Sequence, residues 1–279
     1  MAADVARMTV SETLARSGLE RVDAHVLLAH ALGVDRAWLV AHASDECPSE
    51  AYDAFAELAE RRRTGEPVAY LTGVREFWGL RLAVDSRVLI PRPDTETLVE
   101  QALASLPADR ESFVLDLGTG SGAIAFALAH ERPRAVVVAS DNSRDALTVA
   151  RANADRLKLA NVQLLQSDWY DGLPAEPARF DLIASNPPYI AASDPHLREG
   201  DVRFEPASAL RAGSDGLDAL RIVVGGAPSR LVPGGTLVVE HGFDQAPMVR
   251  TLMVAAGFAD VGTGRDLAGR ERVTRGRTR

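Results

Sequence analysis

The sequence predicts an α/β protein: a mostly parallel sheet covered by helices on both faces, with a small helical bundle in front of it. Three observations carry that reading. From residue 113 onward, apolar runs alternate with stretches of helical period. The runs, "FVLDLG", "AVVVAS", "VQLLQS", "FDLIAS" and "TLVVEH", are near-continuous rather than alternating, as strands buried on both faces are. Residues 1–70 read as helical.

In chain order, Thr9 and Glu12 have the spacing of a capping box ahead of "TLARSGL". Ala24, Leu27, Leu28, Ala31 and Leu32 share one face of a second helix, which Gly33 can end. Ser49 is placed to cap a third, with Tyr52, Phe55, Ala56 and Ala59 on one side, and "TGEP" stops it. In "EFWGLRLAVDSRVLI" the alternation of Leu80, Leu82 and Val84 predicts a short β-hairpin. Asp94 or Thr95 can cap the helix whose apolar face carries Leu98, Val99, Ala102, Leu103 and Leu106. "AIAFALAHE" and "SRDALTVARANADRLKL" are the helices between the first three strand runs, and "QAPMVRTLMVAAGF" precedes a final hairpin. The expected divisions are a helical domain over 1–73 with no chemical motif, a hairpin linker over 74–90, and the α/β domain over 91–279.

Composition narrows the function classes. Apolar residues are 46% and charged residues 25% of the 279, ordinary for a soluble globular chain. No apolar run approaches the ~20 residues of a membrane span, and residues 1–18 carry no apolar signal-peptide core. A single cysteine, Cys47, excludes an internal disulfide and suits a reducing compartment; it reads as a packing thiol rather than a nucleophile. The six histidines show no metal-ligand spacing, so no metal is expected. A net charge of −8 gives no global attraction for a polyanion. The basic stretch "GRERVTRGRTR" (269–279) reads as a solvated tail, or else as a patch for RNA or an RNA-bound partner.

"DLGTGSGAIA" follows the first α/β strand and opens a helix. Gly118, Gly120 and Gly122 let the backbone turn tightly and approach a ligand that a Cβ would block. The next strand ends in Asp141, whose carboxylate can accept both hydroxyls of a ribose. Loop and acid predict a nucleoside site and leave a dinucleotide and S-adenosylmethionine both open. The spacing is G-x-G-x-G rather than G-x-G-x-x-G, and the absence of a Walker lysine disfavours ATP.

A fourth strand run ends in "SNPPYI" (185–190). Prolines donate no N–H, and a residue before proline is held extended, so the Asn186 side chain and the Pro187 carbonyl are aimed with little freedom. Both are acceptors, and Tyr189 adds a flat surface. Such a corner suits a planar NH₂ group: two acceptors for two hydrogens as charge develops on nitrogen, and rigid placement in line with a sulfonium methyl.

With "DLGTGSG", "ASD" and "SNPPYI" in this order, the chain resembles class I S-adenosylmethionine-dependent methyltransferases that modify planar nitrogens. It is most similar to the bacterial peptide chain release factor N5-glutamine methyltransferases, through "REFWGLRLAVDSRVLIPRPDTETLVE", "SDWYDGL", "EPASAL", "GSDGLDALR", "LVPGGTLVVEHG" and "RDLAGRERV" as well. The resemblance implies a Rossmann-like, seven-stranded, mostly parallel sheet over 91–279 and a substrate-recognising role for 1–73. It implies S-adenosyl-L-methionine as cofactor, with S-adenosyl-L-homocysteine as product. Gly118, Thr119, Gly120, Ser121 and Gly122 would line its methionine end, Asp141 its ribose and Trp169 its adenine. Asn186 would touch cofactor and substrate, and Asn186, Pro187, Pro188 and Tyr189 would cradle the glutamine of the Gly-Gly-Gln loop of class 1 release factors. The expected enzyme is a cytoplasmic monomer without direct nucleic-acid or membrane contacts. Arg92, held between two prolines, is read either as a substrate or cofactor contact or as half of a salt bridge. Glu240 and His241 end the fifth strand run, at the ligand edge. The rival readings are a glutamine methyltransferase of a ribosomal protein and a DNA adenine-N6 methyltransferase; the latter needs a basic surface and base flipping, which the charge disfavours.

Overall fold

Thr9 and Glu12 make the reciprocal cap: the Thr9 hydroxyl accepts the Glu12 N–H at 3.2 Å and the Glu12 carboxylate accepts the Thr9 N–H at 2.8 Å. They start α1 (Val10–Arg16) in a computed structural model that describes residues 8–173, 175 and 179–279. Residues 1–7, part of the stretch read for a signal peptide, lie outside the described residues. The chain forms two compact units that divide between Gly73 and Val74.

In the first unit, α2 (Arg21–Leu32) ends at Gly33 in the left-handed conformation, as glycine permits. A short α3 (Arg36–Ala41), unforeseen in the sequence, is capped by Asp35. Ser49 does not cap α4 (Ser49–Arg63) but is its first residue. Pro48 holds the cap position, and its carbonyl accepts the Tyr52 N–H at 2.9 Å without a side-chain bond. α5 (Val68–Thr72) stops at Gly73. Leu27, Leu28, Leu39, Phe55 and Ala59 form the core, with Cys47 buried among them as an apolar filler.

The second unit opens with a hairpin, β1 (Val74–Phe77) and β2 (Leu80–Ala83), turning through Trp78 and Gly79, both at positive φ as tight hairpins require. Leu80, Leu82 and Val84 are buried, as their alternation predicts. Next comes a 3₁₀ turn (Pro93–Thr95) and α6 (Glu96–Ser105). Neither Asp94 nor Thr95 caps α6: Thr95 already has helical backbone angles, and its hydroxyl is engaged elsewhere.

The sheet follows: β3 (Ser112–Leu117), α7 (Ala123–Glu131), β4 (Ala135–Asp141), α8 (Arg144–Leu157), β5 (Val162–Gln166) and β6 (Phe180–Ser185). Three 3₁₀ turns between Pro195 and Ala209 lead to α9 (Asp218–Arg230), β7 (Leu231–Glu240), α10 (Ala246–Ala255) and the hairpin β8 (Ala259–Arg265) and β9 (Glu271–Arg277). The order is β5-β4-β3-β6-β7-β9-β8, with the first five parallel and β9 antiparallel to both neighbours. The chain runs outward from β3 through β4 to β5, then returns to β6 on the other side, so the switch point lies between β3 and β6. A crevice opens at the carboxyl ends of the strands there. α9 went unforeseen because Gly225, Gly226 and Pro228 disguise it. Gly226 is needed: a Cβ there would sit 2.4 Å from the Tyr170 ring. The basic stretch at the C-terminus is largely β9 rather than a free tail, paired with β7 and β8. Among the described residues, no helix is long and apolar enough to cross a membrane.

Candidate active site

β3 delivers the glycine loop to the switch point. Gly118 and Gly120 have positive φ, and a Cβ on either would point into open space. Gly122 also has positive φ, but its missing Cβ leaves room for the Phe126 ring, which would otherwise be 2.0 Å away. Thus two glycines open a cradle and the third packs α7 against the loop.

The other two loop residues turn inward. The Thr119 hydroxyl donates to Asp116 Oδ2 at 2.6 Å, and the Ala125 N–H reaches the same oxygen at 3.2 Å. Asp116 is fully buried, its Oδ1 is unpartnered, and desolvation pushes its carboxyl up to about 7. The Ser121 carbonyl accepts Asn153 Nδ2 at 2.9 Å.

Asp141, at the end of β4, accepts the Gly120 N–H on Oδ2 and the Ser143 N–H on Oδ1, each at 2.9 Å. Both oxygens keep lone pairs for further donors. Burial raises its carboxyl while these N–H groups hold it down. Beyond β5, the Ser167 hydroxyl donates to the Trp169 carbonyl at 2.8 Å and accepts the Gly172 N–H at 2.9 Å. That turn holds Trp169 at φ 49°.

The stub after β6 is braced throughout. Asn186 Nδ2 donates to Thr95 Oγ1 at 3.2 Å, and the Tyr189 hydroxyl donates to Glu240 Oε1 at 3.2 Å. Gln245 Nε2 donates to the Tyr189 carbonyl at 3.0 Å, and Ile190 exchanges backbone bonds with Leu210 and Ala212.

Two cavities meet at this stub. The larger, about 350 Å³, is lined by Gly118, Gly120, Asp141, Trp169, Asn186 and Pro188, and closed by residues 86–89 and by Pro206, Ser208 and Ala209. The smaller, about 120 Å³, is lined by Arg92, Pro187, Tyr189, Val202 and Leu210. Leu89, Asn186 and Ala209 line both. The predicted residues Gly118, Gly120, Asp141, Trp169 and Asn186 therefore share one space, whereas Thr119, Ser121 and Gly122 support the loop from behind. Pro188 faces the larger cavity and not the smaller.

Arg92 has both roles considered for it: it lines the smaller cavity and pairs with Glu205 at 2.5 Å. Glu205 also accepts the Ile90 N–H at 2.9 Å, tying the two segments that close the larger cavity. His241 lines neither cavity; its Nδ1 lies 2.8 Å from the Gly242 carbonyl and its Nε2 2.8 Å from Thr274, and burial lowers its pKa. Thr95 reads in the sequence only as a helix cap and Glu205 has no individual reading, although both stand inside stretches, "PDTE" and "EPASAL", that carry the resemblance. Among the described residues, no group of three or more His, Cys, Asp or Glu could hold a metal ion.

Residues 6–73 match the family described as the PrmC N-terminal domain, and residues 108–252 a methyltransferase domain. The chain is 56% identical over 265 residues to the release factor glutamine methyltransferase of Xylella fastidiosa strain 9a5c, covering 95% of this chain and 96% of that one. It is 48% identical over 257 residues to the Escherichia coli K12 protein of the same name, covering 92% of each. A methyltransferase from Pyrococcus furiosus shares the fold at a TM-score of 0.55 and 18% identity, over 80% of this chain and 98% of that one. The chain belongs to the release factor glutamine methyltransferase family.

Proposed function

We propose that this chain transfers a methyl group from S-adenosyl-L-methionine to the side-chain amide nitrogen (N5) of the glutamine in the Gly-Gly-Gln motif of a class 1 peptide chain release factor. The single observation that carries the reading is the position of Asn186, a residue that lines both cavities.

The larger cavity fits the cofactor on its own chemistry. Gly118 and Gly120 leave a Cβ-free cradle, Asp141 has an anchored carboxylate with free lone pairs, and Trp169 offers a ring. The cradle would take the methionine end, Asp141 the ribose hydroxyls and Trp169 the adenine. When bound, S-adenosyl-L-methionine supplies an electrophilic methyl on a positively charged sulfur and leaves as S-adenosyl-L-homocysteine.

The smaller cavity is narrow and stiff, as a planar carboxamide requires. Asn186 Oδ1 and the Pro187 carbonyl accept its two hydrogens, and Tyr189 packs on its plane. An amide nitrogen is barely nucleophilic because its lone pair is delocalised, and acceptors on both hydrogens stabilise the charge that develops during attack. No strong base is needed beforehand, since the N–H becomes acidic once the new N–C bond forms. Arg92, held by Glu205, borders the same cavity and can donate to a carbonyl of the substrate loop. On this reading the enzyme works as a cytoplasmic monomer on a protein partner, without nucleic acid or membrane, and the helical unit serves recognition.

The test is mass spectrometry of a class 1 release factor incubated with enzyme and cofactor. One added methyl on the Gly-Gly-Gln glutamine is expected, and Asn186→Ala should lower kcat by about 10²–10³-fold, the loss typical of one preorganised polar contact, with a smaller change in cofactor Kd. An unmodified glutamine, or an Asn186→Ala enzyme with parental turnover, overturns the reading.

A further inference from the structure

Two walls of the larger cavity meet at one buried carboxylate. Residues 86–89 form the first wall, and Pro206, Ser208 and Ala209 the second. Glu205 stands at the head of the second wall, where its N–H donates to the Val202 carbonyl at 3.1 Å, and Val202 lines the smaller cavity. The Glu205 side chain is fully buried, and its two oxygens are divided. Oε1 accepts the Ile90 N–H at 2.9 Å, one residue beyond the first wall. Oε2 accepts Arg92 Nη2 at 2.5 Å. Arg92 stands between Pro91 and Pro93, so its backbone has little freedom, and its side chain is one-third exposed where it lines the smaller cavity. Burying this carboxylate costs the fold: desolvation raises its pKa, against the Arg92 guanidinium and the Ile90 N–H, which lower it. An apolar pair of similar volume commonly packs at no loss, so sealing the walls does not by itself call for an ion pair.

We propose that Glu205 is a positioning residue that serves both cavities: through Oε1 it ties the walls around the cofactor, and through Oε2 it aims the Arg92 guanidinium at the substrate loop. The proposal rests on the glutamine carboxamide occupying the smaller cavity. A guanidinium carries five N–H donors in a planar fork. Glu205 takes one of them from Arg92, and fixing one donor of a rigid fork fixes the direction of the rest. A long side chain loses much rotamer freedom when it is held, and Glu205 imposes that loss before the substrate arrives, so binding does not have to. The remaining donors suit a backbone carbonyl of the loop that carries the glutamine. That contact keeps the carboxamide in register with Asn186 and Pro187.

Three variants separate the two oxygens. Glu205→Gln keeps an oxygen for the Ile90 N–H and sets an NH₂ group against Arg92, so the fork loses its aim while the walls stay tied. Its kcat/KM for an intact class 1 release factor should fall about 10- to 100-fold, the scale of one charge-assisted hydrogen bond, with Kd for S-adenosyl-L-homocysteine by calorimetry within about twofold of the parent. Glu205→Gln combined with Arg92→Met leaves no charge buried there, and should match Glu205→Gln in kcat/KM within about twofold, since an unaimed arginine does no more than none. Glu205→Ala removes both contacts and should also raise that Kd about 5-fold or more, as the orphaned Ile90 N–H loosens the wall. Parental kcat/KM in Glu205→Gln, or a further tenfold loss (about 1.4 kcal/mol) on adding Arg92→Met, overturns the aiming of Arg92. A parental Kd in Glu205→Ala overturns the tie between the walls. A Glu205→Gln enzyme with lowered Tm and equally weakened cofactor and substrate would make the carboxylate merely structural, which overturns the proposal as well. Should Glu205→Ala fail to fold, Glu205→Gln against the double variant decides. A parent that leaves the Gly-Gly-Gln glutamine unmethylated fails the reading beneath, whereas an active parent with an equally active Glu205→Gln fails this proposal alone.

Discussion

The two units of this chain bury polar groups in opposite ways. Among the described residues of the helical unit, the buried polar side chains are Thr13 and Ser17, and no Asp, Glu or His is buried. The sheet unit buries Asp116, Glu205, Glu240, Asp266 and His241. A buried carboxylate destabilises a fold unless it is paired or protonated. Packing alone accounts for the first unit, whereas the second tolerates electrostatic cost around the strand ends, where the cavities lie. The contrast locates chemistry without reference to any motif.

The most disruptive way to probe this contrast leaves the site untouched. Leu27 is fully buried in the helical core, so Leu27→Ala should remove about 2–5 kcal/mol from that unit. The residues that line the larger cavity belong to the sheet unit, so cofactor Kd by calorimetry should be unchanged. A matching fall in cofactor affinity would break the division of labour.

Within the sheet unit the contrast recurs among the loop glycines. Gly122→Ala forces a side chain onto the Phe126 ring at φ +89°, and should cost about 2–4 kcal/mol from overpacking and left-handed strain together. Gly118→Ala at φ +74° meets no neighbour within 4 Å and should cost only the strain, about 1–2 kcal/mol, while weakening cofactor binding. Paired melting and calorimetry separate the two. Equal Tm losses would mean that Phe126 gives way, and the third glycine would then have no distinct role.

Asp141→Ala sharpens the contrast on the ligand side. A charge-assisted contact is worth about 1.5–3 kcal/mol, so cofactor Kd should rise about 10- to 100-fold. The Gly120 and Ser143 N–H groups lose their acceptor as well, and a modest fall in Tm is expected. Unaltered Kd would remove Asp141 from the ribose role.

How much of this was legible beforehand follows the same line. The strands, the Thr9–Glu12 cap, the Gly33 stop and the Leu80–Leu82–Val84 alternation are local, and each was readable from spacing. Ser49 was misjudged because a proline one residue earlier could take the cap position with no donor of its own. α9 was missed because its glycine serves Tyr170, a contact 56 residues away in the chain that no window of sequence contains. At the site, Gly118, Gly120, Asp141, Trp169 and Asn186 stood in motifs with a readable chemistry, while Thr95 and Glu205 stood in stretches whose spacing gave them no role at the site. Thr95 is 91 residues from Asn186, and Glu205 is 113 from Arg92, separations at which only the fold brings partners together.

The last comparison concerns Asp116, the carboxylate whose burial most clearly has no counterpart in the helical unit. Its pKa in the folded chain is pushed from an ordinary 3.8 up to about 7. Between those values the folded state holds a proton that the unfolded state has released. Its contribution to stability is therefore complete below about pH 4 and is lost as pH rises through 7. Asp116→Asn cannot ionise, so denaturation midpoints of parent and variant, compared across pH 5–8, should diverge as pH rises, with the variant losing less. Glu240 has the same sign, and His241, whose pKa burial lowers, has the opposite one, but both are present in the two proteins and cancel in the difference. Asp85, Asp215 and Asp266 are held below their ordinary pKa and act on the acid side of this window. A difference curve that stays level from pH 5 to 8 would mean that Asp116 is ionised and compensated by a partner other than Thr119 and the Ala125 N–H, and the asymmetry between the units would then lie in the Glu240 corner alone.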